Sequence, residues 1–304
     1  MNSSARHWTA LLIIAGCCVL LGAAWAAAQD CTAQLNALWI AASNACIGKP
    51  AGYLCNGGSA PAAEPAGAVS SALASVGALV EVKAVDAFHT PAIDGNGTGG
   101  IAWLRLSDNI QMSALVLGDV AVQDVTPPDF PAWQSFIVQT NPQPPTCGVA
   151  PHNGFVAQSP VDQNTRVVIN GVSLDLAGTL LVQTSDSDTT FAMLSGQLRV
   201  LALGQVQPLW AGEQVSVPHN SGDFADPSGA PNPPAPLDAN AVRNLPTALL
   251  DRPILLPQPG YVATEGQVNL RTSPSKDAPL LIQVPPGQVL SVLGRNPDGT
   301  WYHV

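Results

Sequence analysis

Positive charge is scarce in this chain. Eleven Lys and Arg are scattered among 304 residues, against 21 Asp and Glu, and the net charge is −10. Nucleic acid and anionic bilayers both require a basic face, so neither is expected as a partner. Charged residues of both signs make up only 11% and aromatics 5%. Ala, Gly, Pro, Val and Leu dominate instead, a balance that suits a secreted β protein. The five histidines, His7, His89, His152, His219 and His303, lie in unrelated contexts. No H-E-x-x-H or G-x-S-x-G occurs, so the sequence offers no zinc protease helix and no nucleophile elbow. No catalytic residue, metal or cofactor is expected. Beyond the N-terminus no run approaches the ~20 apolar residues that span a bilayer.

Two stretches imitate binding motifs. Gly95–Gly100 satisfies G-x-G-x-x-G, but a dinucleotide site needs a strand before it and a helix after it. Here a strand, Ile101 to Leu106, follows, and the stretch reads as a turn. Asp94, Asn96 and Thr98 resemble the start of a calcium loop, yet the twelfth position, which needs a bidentate carboxylate, is Arg105. Asp186 and Asp188 read as a solvated hairpin tip.

What is present begins with a leader. Arg6 and His7 precede an apolar run from Trp8 to Ala24, and Ala26-Ala27-Ala28 closes it. A positive start, an apolar middle and an A-x-A site define a secretory signal, cut after Ala28. The rival readings are an uncleaved anchor and a lipoprotein site at Cys17. After cleavage the chain keeps Cys31, Cys46, Cys55 and Cys147. An even number in an oxidising compartment implies two disulfides. Leu35, Leu38, Trp39 and Ala42 fall at helical spacing, so residues 32–45 read as an amphipathic helix. Cys31 and Cys46 then sit about 22 Å apart at 1.5 Å per residue, whereas a bridge needs Cα atoms within about 7 Å. That leaves Cys31–Cys147 with Cys46–Cys55, or Cys31–Cys55 with Cys46–Cys147.

The middle of the chain is a series of short alternating runs. Ala78 to Phe88, Ile101 to Leu106, Ala114 to Val125 and Gln134 to Thr140 are expected strands. From Thr165 to Val217 six more follow, with Asn170-Gly171, Ala177-Gly178, Ser195-Gly196 and Ala211-Gly212 read as turns between them. Such spacing describes a β-sandwich or roll. Around Leu194–Val200 and Leu209–Val217 the chain resembles a FecR-type extracytoplasmic β domain. The resemblance implies that fold, in a family that senses or relays signals in the periplasm. Residues 218–259 then hold ten prolines in 42 positions and read as a stiff, extended tether, with Ala239 to Leu250 as a short helix docked on a neighbour.

The tail carries the most specific pattern. Val268 and Leu270 alternate with Asn269 and Arg271. Pro286-Gly287 fits a type II turn, Val289 to Leu293 is a strand, and Asp298-Gly299 is a hairpin signal ahead of Trp301 and Tyr302. On these residues the tail resembles a bacterial SH3-like (SH3b) domain. The resemblance implies a small β-barrel that binds peptidoglycan or another envelope polymer, with Arg271, Trp301 and Tyr302 as contact residues. The family pattern continues for some twenty residues past the point where this chain stops, so the module reads as truncated.

The expected architecture is therefore mainly β: signal peptide 1–28, a disulfide-linked helical segment 29–60, a β-sandwich or FecR-like region 61–217, a Pro-rich linker 218–260 and an SH3b-like module 261–304. The expected function is non-catalytic binding of an envelope polymer outside the cell, without a membrane span once the signal is removed. The alternatives are the targeting part of a cell-wall hydrolase and a FecR-like sensor.

Overall fold

The computed structural model describes residues 31–107, 110–257, 261–292, 294–295 and 300–304. The expected leader, with its cleavage and lipoprotein sites, and the Asp298-Gly299 hairpin lie outside the described residues. The chain enters through a helix, α1, over residues 31–46, close to the expected span. Cys31 bridges Cys147 with Cα atoms 6.2 Å apart, and Cys46 bridges Cys55 at 5.9 Å. Of the two pairings left open by the sequence, the first is the one adopted, and both ends of α1 are stapled to the β body.

The strands follow as β1 (Tyr53–Asn56), β2 (Ala62–Glu64), β3 (Leu79–Glu81), β4 (Ala87–Thr90), β5 (Ile101–Leu106), β6 (Met112–Leu117), β7 (Val120–Asp124) and β8 (Ser135–Thr140). The second half holds β9 (Gly154–Gln158), β10 (Thr165–Ile169), β11 (Val172–Thr184), β12 (Asp188–Ala202), β13 (Gln205–Trp210), β14 (Glu213–Asn220), β15 (Asp223–Pro227) and β16 (Ala235–Pro236). A one-turn helix, α2 (Ala68–Ala72), packs beside β2. All sixteen strands join one curled sheet, whose main path runs β2-β4-β7-β8-β10-β11-β9-β6-β5-β1-β3. The expected sandwich or roll is a roll.

Two hydrophobic layers hold it. Residues of one parity, among them Leu104, Val116, Phe155, Val182 and Phe191, fill the inside of the curl. Residues of the other parity, Ile101, Trp103, Leu115, Val156 and Leu181, meet Ala42 and Cys46 of α1 on the outside. Strand β5 is consequently buried along its whole length. The curl closes where β8 meets β10, the parallel rung of the sheet, with Val168 opposite Ser135 and Ile169 opposite Phe136. The buried side chain of Asn170 then replaces the next rung: its amide accepts from Val138 N at 2.7 Å and donates to Val138 O at 2.9 Å. Thr140 and Thr184 finish the seam, each backbone N–H donating to the other's hydroxyl at 2.8 Å. The side chains of Thr140, Asn170 and Thr184 are thus paired along the closure, as burial requires.

Three expectations are corrected. Gly178 and Gly196, read as turns, lie inside the long strands β11 and β12 and face each other across them. Their φ angles are +143° and +82°, and an added Cβ would stand 2.0 Å from Ser195 O or 2.1 Å from Ala177 O. They serve a bulge between Thr179 and Leu180, a second established use of glycine in strands. Ala114 to Val125 is two strands, because Gly118 at φ +75° turns the chain from neighbours β5 and β9 to neighbours β4 and β8. The stretch 218–260 is no free tether. It continues β14, supplies β15 and β16, and buries Leu237, Val242, Leu245, Leu249 and Leu250 against the outer layer. Proline deprives this segment of ladder donors but leaves its Leu and Val side chains free to dock as a strap. The expected docking of Ala239 to Leu250 occurs through turns and a short 3₁₀ helix, Thr247–Leu249.

The strap is tied by specific bonds. Trp103 Nε1 donates to Leu249 O at 3.1 Å, and Gln158 Nε2 donates to Arg252 O at 2.8 Å. Arg105, buried in β5, meets Asp251: its Nε donates to Oδ2 at 2.9 Å and its Nη2 to Oδ1. Removing one partner of such a pair strands the other in the interior. Asp251→Ala is expected to lower the unfolding free energy by about 3 kcal/mol, read by urea denaturation. Gly196→Ala, forced to hold a left-handed φ against a backbone oxygen, is expected to cost about 2 kcal/mol or more in the same assay.

Candidate functional site

The tail is made of β17 (Tyr261–Ala263), β18 (Val268–Arg271), β19 (Leu280–Val284), β20 (Val289–Ser291), β21 (Gly294–Arg295) and β22 (Tyr302–His303). They pair antiparallel as β17–β20, β18–β19 and β21–β22. The Pro286-Gly287 turn forms as expected, with Gly287 at φ +80°. Thr264 clamps it: its hydroxyl donates to Pro285 O at 2.6 Å and accepts from Gln288 N at 3.0 Å.

The three expected contact residues have different fates. Arg271 lies at the end of β18, and its Nη1 donates to Ala278 O at 2.7 Å, bracing its own hairpin. Trp301 and Tyr302 are half-buried. Tyr302 Oη donates to Ala211 O at 3.5 Å, in the turn between β13 and β14. Glu265 accepts from the Ser195 hydroxyl of β12. The tail is thus seated at the fork where β13 and β14 leave β12. Nothing in the sequence announced this seat, because its two halves are about 70 to 90 residues apart in the chain.

The body presents a groove of about 380 Å³ over β2, β4, β7 and β8. Glu64, His89, Gln123 and Gln139 rise from a floor of Ala62, Ala87 and Ala121. His89 Nε2 and Asp119 Oδ1 are 2.6 Å apart, and Asn141 Nδ2 donates to Asp119 Oδ2 at 2.8 Å. The hydroxyl in this groove, Ser70, is occupied by the β2 edge: it donates to Ala63 O at 2.9 Å and accepts from Ala63 N at 3.0 Å. A histidine–carboxylate pair is therefore present, but the neighbouring hydroxyl is bonded elsewhere. The calcium-like loop is equally self-contained. Asp94 accepts from Thr98 N, Asn96 N and the Thr98 hydroxyl at 2.9–3.0 Å. These bonds, that of the Thr98 backbone foremost, hold its carboxyl below the ordinary value. No cluster of three metal-ligating side chains occurs among the described residues. None of the helices among them is long and apolar enough to cross a membrane.

Residues 266–304 match the bacterial SH3 domain family, over the stretch whose motifs carried the resemblance. The tail of this protein is a bacterial SH3 domain. No curated protein matches the chain. Two crystal structures of a proposed anti-sigma factor from Parabacteroides distasonis match parts of this chain. One, at 1.65 Å resolution, is 12% identical over 59% of this chain and 68% of its own, with a TM-score of 0.34. The other, at 2.50 Å, is 13% identical over 49% of this chain and 60% of its own, with a TM-score of 0.32.

Asp119 yields a pH prediction. Burial raises its pKa, but the bonds from Asn141 and His89, with the charge of His89, outweigh burial and hold it below 3.8. A depressed carboxyl stabilises the fold at pH values above the unfolded pKa and loses that contribution as the pH falls through the folded one. The stability gap between wild type and Asp119→Asn is expected to narrow as the pH falls below about 4, measured by denaturation at stepped pH.

Proposed function

We propose that this protein is a secreted, non-catalytic component of the bacterial cell envelope, held to peptidoglycan or a related wall polymer by its C-terminal SH3 domain. The observation that carries the reading is the SH3 match at residues 266–304. The two disulfides support it, since such bridges persist in oxidising compartments outside the cytosol. So does the seating of the tail on the body, which leaves the module at the end of a braced scaffold. Trp301 and Tyr302 are the side chains assigned to stack on sugar rings. Arg271, whose guanidinium also bonds Ala278 O in its own hairpin, is the third contact residue assigned.

Purified peptidoglycan is expected to retain the full chain in a sedimentation assay, and deletion of residues 261–304 is expected to abolish retention. Equal retention of the two forms would overturn the anchoring role. A zymogram on a peptidoglycan gel is expected to show no clearing; a cleared band would instead support the targeting part of a hydrolase.

A further inference from the structure

The register of the sheet assembles a second pocket, a mainly apolar lining with a few polar side chains around it, that no local motif announces. On the outer face of β10–β13 the cross-strand partners run Arg166, Asp175, Arg199 and Pro208 in one row. The next row runs Ala177, Gln197 and Trp210. Asp175, Gln197, Arg199, Pro208 and Trp210, together with Asn164 from the approach to β10, line a cavity of about 180 Å³. Pockets for drug-sized ligands run from about 300 to 1,000 Å³, so this one suits a single ring.

Its chemistry is specific. Trp210 offers a half-buried indole, and Gln197 and Asn164 offer amides that both donate and accept. Arg166 Nε donates to Asp175 Oδ1 at 2.9 Å, so that carboxylate is already neutralised. Arg199 is exposed and has no ion-pair partner among the described residues. The row therefore carries two guanidiniums to one carboxylate, on a chain whose net charge is −10. A planar guanidinium in that setting selects a carboxylate.

We propose that this pocket binds a carboxylate-bearing sugar residue, its ring stacked on Trp210, its hydroxyls on Gln197 and Asn164 and its carboxylate on Arg199. The lining residues all lie on the β body, outside residues 261–304. Calorimetric titration of the full chain with a galacturonate trimer is expected to give a Kd of about 1 mM or tighter. The methyl-esterified trimer, which keeps the ring but not the charge, is expected to bind at least about tenfold more weakly. Arg199→Gln is expected to produce the same loss at an unchanged unfolding temperature, since Arg199 is exposed. Trp210→Phe is expected to weaken binding of both trimers alike. Absence of binding by the wild type, or equal affinity for acid and ester, overturns the proposal, and the ester comparison needs no variant. Deleting residues 261–304 is expected to leave trimer binding in place, which separates this site from wall retention by the tail.

Discussion

A bulge beside two facing glycines organises much of this molecule. Side chains in a strand alternate with a period of two, so one inserted residue exchanges the faces from that point onward. On β12, Phe191 and Met193 point into the curl before the bulge, while Leu198 and Val200 do so after it. The exchange divides β12 between two neighbours. Residues 188–193 pair with β14, and residues 197–202 pair with β13. The fork so produced is the seat of the tail, and beside it stand Trp210, at the end of β13, and Gln197, within β12. Only glycine allows the two backbones to approach as they do at Gly178 and Gly196.

A roll of this kind has a second problem. Curling a sheet buries one face and exposes the other, and here β5, β6, β9 and half of β11 carry large apolar side chains on both faces. The chain solves it from its two ends. The disulfide-stapled α1 covers one area, and the Pro-rich strap covers the next. The buried Arg105 fits this solution. Its charge in an otherwise apolar strand is tolerable because Asp251 arrives on the strap with matching geometry. The pair discriminates as well as stabilises: a strap displaced along the sheet would leave a guanidinium buried without its carboxylate.

The parts legible in the sequence were those encoded locally. Ile101–Leu106 and Val268–Arg271 are strands with the bounds read from the sequence, and the Pro286-Gly287 turn follows from two residues. The exclusion of a Cys31–Cys46 bridge follows from helix length alone. What escaped depends on partners distant in sequence. A glycine beside Ala or Ser reads as a turn, and only the facing strand reveals a bulge. Strand β13 was missed because Pro208 interrupts its pattern. Proline is permitted there because β13 pairs only with β12, and edge strands tolerate it. The ten prolines of residues 218–259 masked a spaced set of Leu and Val that docks as firmly as a helix face. One sequence clue did point that way: a lone Arg in the apolar run Ile101–Leu106 requires a carboxylate from elsewhere.

These corrections alter how a wall-binding reading works physically. A flexible tether would make two contacts reinforce each other through effective concentration, diluted over every position the linker could reach. A docked strap removes most of that freedom. With the tail bonded to Ala211 and Ser195, the aromatic pair Trp301–Tyr302 and the Trp210 pocket are held by the same turn and the strands that flank it. Neighbouring sugar residues of one polymer would then meet both surfaces without a further loss of linker entropy, because that loss occurs when the chain folds. The same rigidity restricts which polymers fit, since a spacing fixed by the fold cannot adjust to a different repeat. In that reading, selectivity resides in the geometry of the β12–β14 fork as much as in any single contact residue.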